Sequence, residues 1–274
     1  MEDLDDRKKR TSLHVTATVV KNTRLCNEHY CLTLRNDILA STTKPGQFVN
    51  LRIDGRDDLL LRRPFSVAMT RPLQSLLEIV YRVVGQGTRS MTELSRGEKV
   101  DLMGPLGTGF HLPEKPMNCL LLGGGVGVSP LWGLAAQLSK KKNKVIALLG
   151  FRSSDKVFGE DIFRRHHVET IVTTDDGSYA LKGFVSDHLE KILNRPINHV
   201  YVCGPDSMLK AVLPMIRKAG IKGEVSLEER MGCGYGVCLS CVANILVDGV
   251  VEKKRICTEG PVFDLEQVVL SNEP

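Results

Sequence analysis

The stretch Cys233-Gly234-Tyr235-Gly236-Val237-Cys238-Leu239-Ser240-Cys241, answered downstream by Cys257, constrains this chain more than any other. Three cysteines spaced C-x4-C-x2-C with a fourth beyond them form the ligand pattern of a plant-type 2Fe–2S cluster. The spacing has a physical cause: three thiolates must converge on one small cluster from a single loop. Gly232, Gly234 and Gly236 let that backbone turn tightly and bring amide N–H groups to the sulfurs, because glycine tolerates positive φ. Hydrogen bonds to those sulfurs tune the potential. Four cysteines also suit structural zinc. Zinc sites usually present two C-x2-C knuckles, however, and here only Cys238 and Cys241 have that spacing. A 2Fe–2S cluster moves one electron at a time, so the rest of the chain is expected to supply or accept electrons.

A chain of 274 residues predicts about two domains, with room for a third small module if a metal centre stabilises it. Apolar residues make up 42% and charged residues 25%, which fits a soluble protein with real cores. The net charge of +5 and pI near 8.7 are mild and spread along the chain, so nucleic acid is not an expected partner. The run Lys140-Lys141-Lys142 reads as a helix end, where it complements the dipole. The four cysteines outside the cluster pattern, Cys26, Cys31, Cys119 and Cys203, are scattered and predict buried thiols in a reducing, cytoplasmic compartment. Met1 to Arg10 has no apolar core, so no signal peptide is expected there and residues 1–12 read as a disordered arm. Met117 to Ser139 carries no formal charge, but Gly123, Gly124, Gly125 and Gly127 ahead of Pro130 make it strand, turn and helix rather than a membrane span.

Residues 13–112 read as short strands: Leu13–Val20, His29–Arg35, Gln47–Ile53, Leu76–Val84 and Lys99–Met103. Turns such as Lys44-Pro45-Gly46 and Asp54-Gly55-Arg56-Asp57 separate them. Without long helical patterns they predict a small closed antiparallel barrel. Beyond the proline-rich stretch Leu112–Pro116, over residues 113–223, strands and helices alternate. Helices are expected over Pro130–Lys142, Lys156–His166, Val185–Leu193 and Asp206–Lys218, giving a doubly wound parallel sheet. Residues 224–274 hold the cysteine module.

Three further motifs stand out. Glycines in Leu122-Gly123-Gly124-Gly125-Val126-Gly127-Val128-Ser129-Pro130, between an apolar strand and a helix, let backbone approach a phosphate. Pro130 stands where the third glycine of G-x-G-x-x-G would be, and a ligand-free glycine turn is the other reading. Val202-Cys203-Gly204-Pro205-Asp206 and Thr174-Asp175-Asp176-Gly177-Ser178 end strands on the same predicted edge, where open α/β sheets bind ligands. Cys203 reads as a buried small residue, because no histidine nearby in sequence would activate it. The acidic pair Asp175–Asp176 equally fits a solvated loop. In the barrel, Arg62-Arg63-Pro64-Phe65-Ser66-Val67 offers cation, ring and hydroxyl, followed by Val80-Tyr81-Arg82 and Gly85-Gln86-Gly87-Thr88. From composition alone Tyr81 also fits a core position and Arg63 an exposed strand charge.

Taken in order, barrel, R-P-F-S, G-Q-G-T, G-G-G-V-G-V-S-P and C-G-P, the chain resembles the ferredoxin reductase superfamily. With E-R-M-G-C-G-Y-G-V-C-L-S-C and I-C-T-E-G-P-V-F it is similar to the electron-transfer subunits of NAD-dependent (class 1B) dihydroorotate dehydrogenases, over roughly residues 13 to 270. The resemblance implies FAD in the barrel, held by Arg63, Pro64, Phe65 and Ser66. Arg63 would contact the pyrophosphate and Ser66 the ring edge, with Phe65 where many superfamily members have tyrosine. Val80, Tyr81 and Arg82 would form the next wall, and Gly87 and Thr88 would approach the flavin phosphates. It implies NAD at Gly124, Gly125 and Gly127 with Cys203 and Gly204 near the nicotinamide, and a cluster on Cys233, Cys238, Cys241 and Cys257. It also implies an FMN-containing catalytic subunit as partner, in a two-plus-two heterotetramer of pyrimidine biosynthesis, with no catalytic acid, base or nucleophile on this chain. Phe151-Arg152-Ser153-Ser154, where NAD and NADP are discriminated, could accept a phosphate, but the resemblance argues for NAD. Competing readings are a related flavin and iron–sulfur subunit of a sulfide dehydrogenase, hydrogenase or ferredoxin–NADP complex, and a non-catalytic nucleotide sensor holding zinc.

Overall fold

The structure is a computed structural model that describes residues 13–53 and 59–270. The expected disordered arm and the turn Asp54–Asp57 lie outside the described residues. Six strands, β1 (Leu13–Cys26), β2 (His29–Arg35), β3 (Phe48–Leu51), β4 (Arg63–Arg71), β5 (Leu76–Arg82) and β6 (Lys99–Leu106), close into an antiparallel barrel ordered β1-β2-β5-β4-β3-β6. Alternation sends one side chain in two inward: in β6, Val100, Leu102, Gly104 and Leu106 are buried between more exposed neighbours. Leu32, Leu34, Val49, Leu51, Ile79 and Tyr81 share that core.

Strand β4 is absent from the sequence expectation, because its residues read as a binding motif. Its Pro64 lies next to the strand's first residue, where proline is tolerated. Two six-residue helices, α1 (Asp37–Thr42) and α2 (Gln86–Met91), are likewise too short for helical periodicity to reveal.

The second layer follows the predicted alternation. Strands β7 (Asn118–Gly124), β8 (Lys144–Phe151), β9 (Glu169–Thr174), β10 (Leu181–Lys182), β11 (His199–Cys203) and β12 (Lys222–Ser226) form a parallel sheet ordered β10-β9-β8-β7-β11-β12. Central β7 is buried on both faces. Cys119 and Leu121 pack with α3 (Leu131–Lys140) and α4 (Glu160–Arg165). Leu120 and Leu122 pack with α5 (Val185–Leu193) and α6 (Asp206–Lys218). Each such leucine contributes about 1.5–3 kcal/mol of burial. Helix α4 starts later than expected, after Gly159, whose φ of +78° and contact with the Trp132 ring admit no side chain. The uncharged stretch Met117–Ser139 divides between β7 and α3, and among the described residues no helix is long and apolar enough to cross a membrane.

After β12 the chain forms the cysteine loop and the hairpin β13 (Val242–Val247) and β14 (Val250–Arg255). Then β15 (Val262–Asp264) adds antiparallel to the edge of the large sheet, and β16 (Val268–Val269) pairs with β13. The C-terminal segment is thereby fastened to the sheet, and Thr108 after the barrel bridges Pro261.

Candidate functional site

The cysteine loop is shaped by glycine. Gly234 and Gly236 have φ of +78° and +91°, and a Cβ on Gly234 would lie 1.9 Å from Asn50 Nδ2. Gly232 instead leaves room, since its Cβ would sit 3.2 Å from Cys238 Sγ. With those turns made, the backbone N–H groups of Tyr235, Val237 and Cys238 point at Cys233 Sγ at 3.5, 3.4 and 3.4 Å. The Cys233 N–H points at Cys238 Sγ at 3.4 Å. The Ser240 hydroxyl and the N–H groups of Cys233 and Ser240 hold the Cys238 thiol down to about 6. Cys241 and Cys257 form a second, buried pair, and burial pushes the Cys257 thiol up to about 12. The four sulfurs therefore lie as two adjacent pairs.

Two thiolates for each of two irons match the donor set of a binuclear cluster. Around the loop Tyr235, Val237 and Leu239 are exposed.

A cavity of about 340 Å³ lies on the far half of β4, but two others sit at the predicted motifs. The first, about 210 Å³, is lined by Pro64, Phe65 and Ser66 of β4 and Val80, Tyr81 and Arg82 of β5. Six residues of the barrel motifs thus meet at one place. Tyr81 turns its ring into the barrel, where it lies 5.7 Å from Tyr30 and its hydroxyl donates to Asn22 Oδ1 at 3.2 Å. It is both core and wall. Arg63 and Gly87 meet beside this cavity rather than in its lining: a Cβ on Gly87 would lie 2.8 Å from Arg63 Nε, so glycine is what lets α2 approach the guanidinium. Thr88 Oγ1 accepts from the N–H groups of Val84 and Gly85 and caps α2. Part of the remaining wall comes from residues with no assigned role in the sequence: Leu227, Glu228, Glu229 and Met231, just ahead of the cysteines. Burial raises the Glu228 carboxyl pKa although the cleft leaves it open to solvent.

The second cavity, about 440 Å³, opens at the carboxyl ends of the parallel strands. Gly124 and Gly125 line it with Arg152, Asp175 and Met208. Asp175 at the end of β9 therefore faces a cleft, and burial raises its pKa against the lowering influence of Arg152. The glycine loop divides the two cavities: Gly124 and Gly125 face this one, while Val126, Ser129 and Pro130 face the barrel-side cavity. Gly127 lines neither. A Cβ there would lie 2.7 Å from the Cys203 carbonyl, so Gly127 lets the loop pack on the end of β11. Cys203 is 1% exposed and burial drives its pKa up, which removes it as a nucleophile, as its sequence context suggests. Gly204 packs beside Met208, whose Sδ would lie 2.8 Å from an added Cβ. The cysteine loop is tied to the barrel by buried Asn50, whose Nδ2 donates to the Cys233 carbonyl at 3.1 Å. Nothing in the local sequence of Asn50 signals this role.

A closed barrel, a parallel nucleotide-type sheet and a cysteine loop define a ferredoxin reductase-like oxidoreductase with an iron–sulfur binding region. Residues 121–213 match the oxidoreductase NAD-binding domain, and residues 228–269 match the iron–sulfur cluster binding domain of dihydroorotate dehydrogenase B. The structure resembles that of an NADH-dependent reduced ferredoxin-NADP oxidoreductase studied for electron bifurcation. The TM-score is 0.82 at 30% identity, over 96% of this chain and 91% of the other. The dihydroorotate dehydrogenase B (NAD(+)) electron transfer subunit of Fusobacterium nucleatum is 41% identical over 90% of this chain and 95% of its own length. That of Shouchella clausii is 40% identical over 92% and 97%. The chain belongs to the family of dihydroorotate dehydrogenase B electron transfer subunits.

Proposed function

We propose that this chain carries electrons released by dihydroorotate oxidation, on an FMN-containing catalytic subunit, through a 2Fe–2S cluster and FAD to NAD+, in pyrimidine biosynthesis. The observation that carries the reading is the pairing of Cys233 with Cys238 and of Cys241 with Cys257, beside a cleft that meets the nucleotide cleft across one glycine loop. When bound, the cluster supplies one-electron transfer and the flavin supplies the exchange between one-electron and two-electron carriers that NAD+ requires.

The chain's own residues bind and orient. Cys233, Cys238, Cys241 and Cys257 hold the irons, and the N–H groups aimed at Cys233 stabilise its thiolate. Pro64, Phe65, Ser66, Val80, Tyr81 and Arg82 wall the flavin ring, with Arg63, Gly87 and Thr88 toward its phosphates. Gly124 and Gly125 receive the dinucleotide, while Gly127, Cys203 and Gly204 shape the strand end beneath the nicotinamide. The barrel (13–112), nucleotide (113–223) and cluster (224–274) units act as three stations. Exposed Tyr235, Val237 and Leu239 around the cysteines suit docking of the catalytic subunit, in a two-plus-two heterotetramer. The buried free thiols Cys31, Cys119 and Cys203 suit a reducing cytoplasm.

The test is co-expression with a dihydroorotate-oxidising FMN subunit and an anaerobic assay of orotate formation. Orotate appearing together with NADH, and only when both chains are present, supports the reading. Full NAD+-linked turnover by the catalytic subunit alone overturns it.

A further inference from the structure

The turn between β1 and β2 reaches from the barrel to the nucleotide-binding sheet. Its two residues are Asn27 and Glu28, and a register shift beside it marks a bulge. Glu28 has φ of +65°, a position that such turns normally give to glycine. A glutamate held there costs backbone strain, and strained positions of this kind gather where a side chain has a task.

The task is visible in its partners. One carboxylate oxygen, Glu28 Oε2, lies 2.8 Å from Lys156 Nζ and 3.4 Å from Arg82 Nε. Arg82 lines the barrel-side cavity. Lys156 follows β8 in the other unit, and its hydrogen bond holds the Glu28 carboxyl below the usual range. Next to it, the Asn27 N–H donates to the Asp155 carbonyl at 3.0 Å and Asn27 Nδ2 to Asp155 Oδ2 at 3.0 Å. The same loop is tied to the strand-end loop of the nucleotide cavity, because the Ser154 N–H donates to Ser178 Oγ at 2.8 Å. An unbroken line of contacts thus joins the rim of the nucleotide cleft to the wall of the barrel cleft.

We infer that Glu28 is a positioning residue, which through Lys156 and Arg82 sets how the nucleotide unit is held against the flavin wall. The inference rests on the proposed assignment of the two clefts. Reacting centres held about 1 Å out of place can lose about 100-fold in rate, so even a partial slip at this joint is measurable.

Glu28→Gly is the decisive variant, because it removes the carboxylate while relieving the left-handed strain. It is expected to melt at or above the wild-type temperature and to keep its flavin. Amide exchange over residues 153–158 is expected to quicken about tenfold. Its kcat for NADH oxidation with ferricyanide is expected to fall about tenfold, with KM within about twofold. Lys156→Met should reproduce these losses and Lys156→Arg should not. Wild-type exchange and kcat in Glu28→Gly, loss of flavin from it, or equal losses in Lys156→Arg would overturn the inference. Absence of flavin from the wild type would instead refute the cleft assignment, and the exchange measurement would still decide whether the joint exists.

Discussion

At the scale of single residues, the cluster loop depends on groups that do not touch iron. Asn50 is 1% exposed, and its Oδ1 has no partner while its Nδ2 holds the Cys233 carbonyl. Asn50→Leu therefore removes one unpaired buried atom and leaves the part-buried Cys233 carbonyl without this partner. Each is worth about 1–3 kcal/mol with opposite sign, so the melting temperature should move little while chelators strip iron faster. Unchanged iron release would show that Asn50 only fills space. Cys238→Ser should lose or weaken the cluster and leave flavin content and NADH oxidation largely intact. Simultaneous loss of flavin would show that the stations are not separable. Arg63→Ala should weaken flavin retention, measured as flavin per chain after dialysis, and an unchanged ratio would remove Arg63 from the site.

At the scale of elements, the glycine loop after β7 is a wall with two sides, and its tight packing on β11 is what Gly127 permits. Gly127→Ala must push a methyl group against the Cys203 backbone, at about 1–3 kcal/mol. It should lower the melting temperature and raise KM for NADH, and wild-type values for both would contradict this packing. The sequence made the cysteine loop legible because its ligands are set by spacing along one short segment. The barrel motifs and the Gly124–Gly125 edge were legible for the same reason. Strand β4 was hidden inside a motif, and α1 and α2 were hidden by their length. The wall of the barrel-side cleft at Leu227, Glu228, Glu229 and Met231, the Asn50 clamp and the Glu28 joint are products of tertiary packing between distant segments, which leaves no local pattern to read.

At the scale of the whole molecule, one buried and two part-buried histidines make the fold sensitive to mild acid. Burial lowers the pKa of His29 and His199 below their ordinary value of 6.5, and burial with Arg165 nearby does the same to His166. A lowered folded pKa means that the fold prefers the neutral ring. That stability is whole above about 6.5 and is lost as pH falls from there toward the folded values. Carboxylates held low by partners, such as Glu169 by Arg195, add their losses only at more acid pH. Carboxyls that burial holds high, Asp175, Glu224 and Glu228, gain stability instead as pH falls, but nearer the carboxylate range, so the melting temperature should begin to fall below about pH 6.5. A flat profile down to about pH 5.5 would contradict this.

Residue, element and molecule alike depend on the paired cysteines holding irons and sulfide. The direct measurement is metal and sulfide analysis of the chain purified without air. Our reading predicts about two irons and two acid-labile sulfides per chain, and zinc with neither would contradict it.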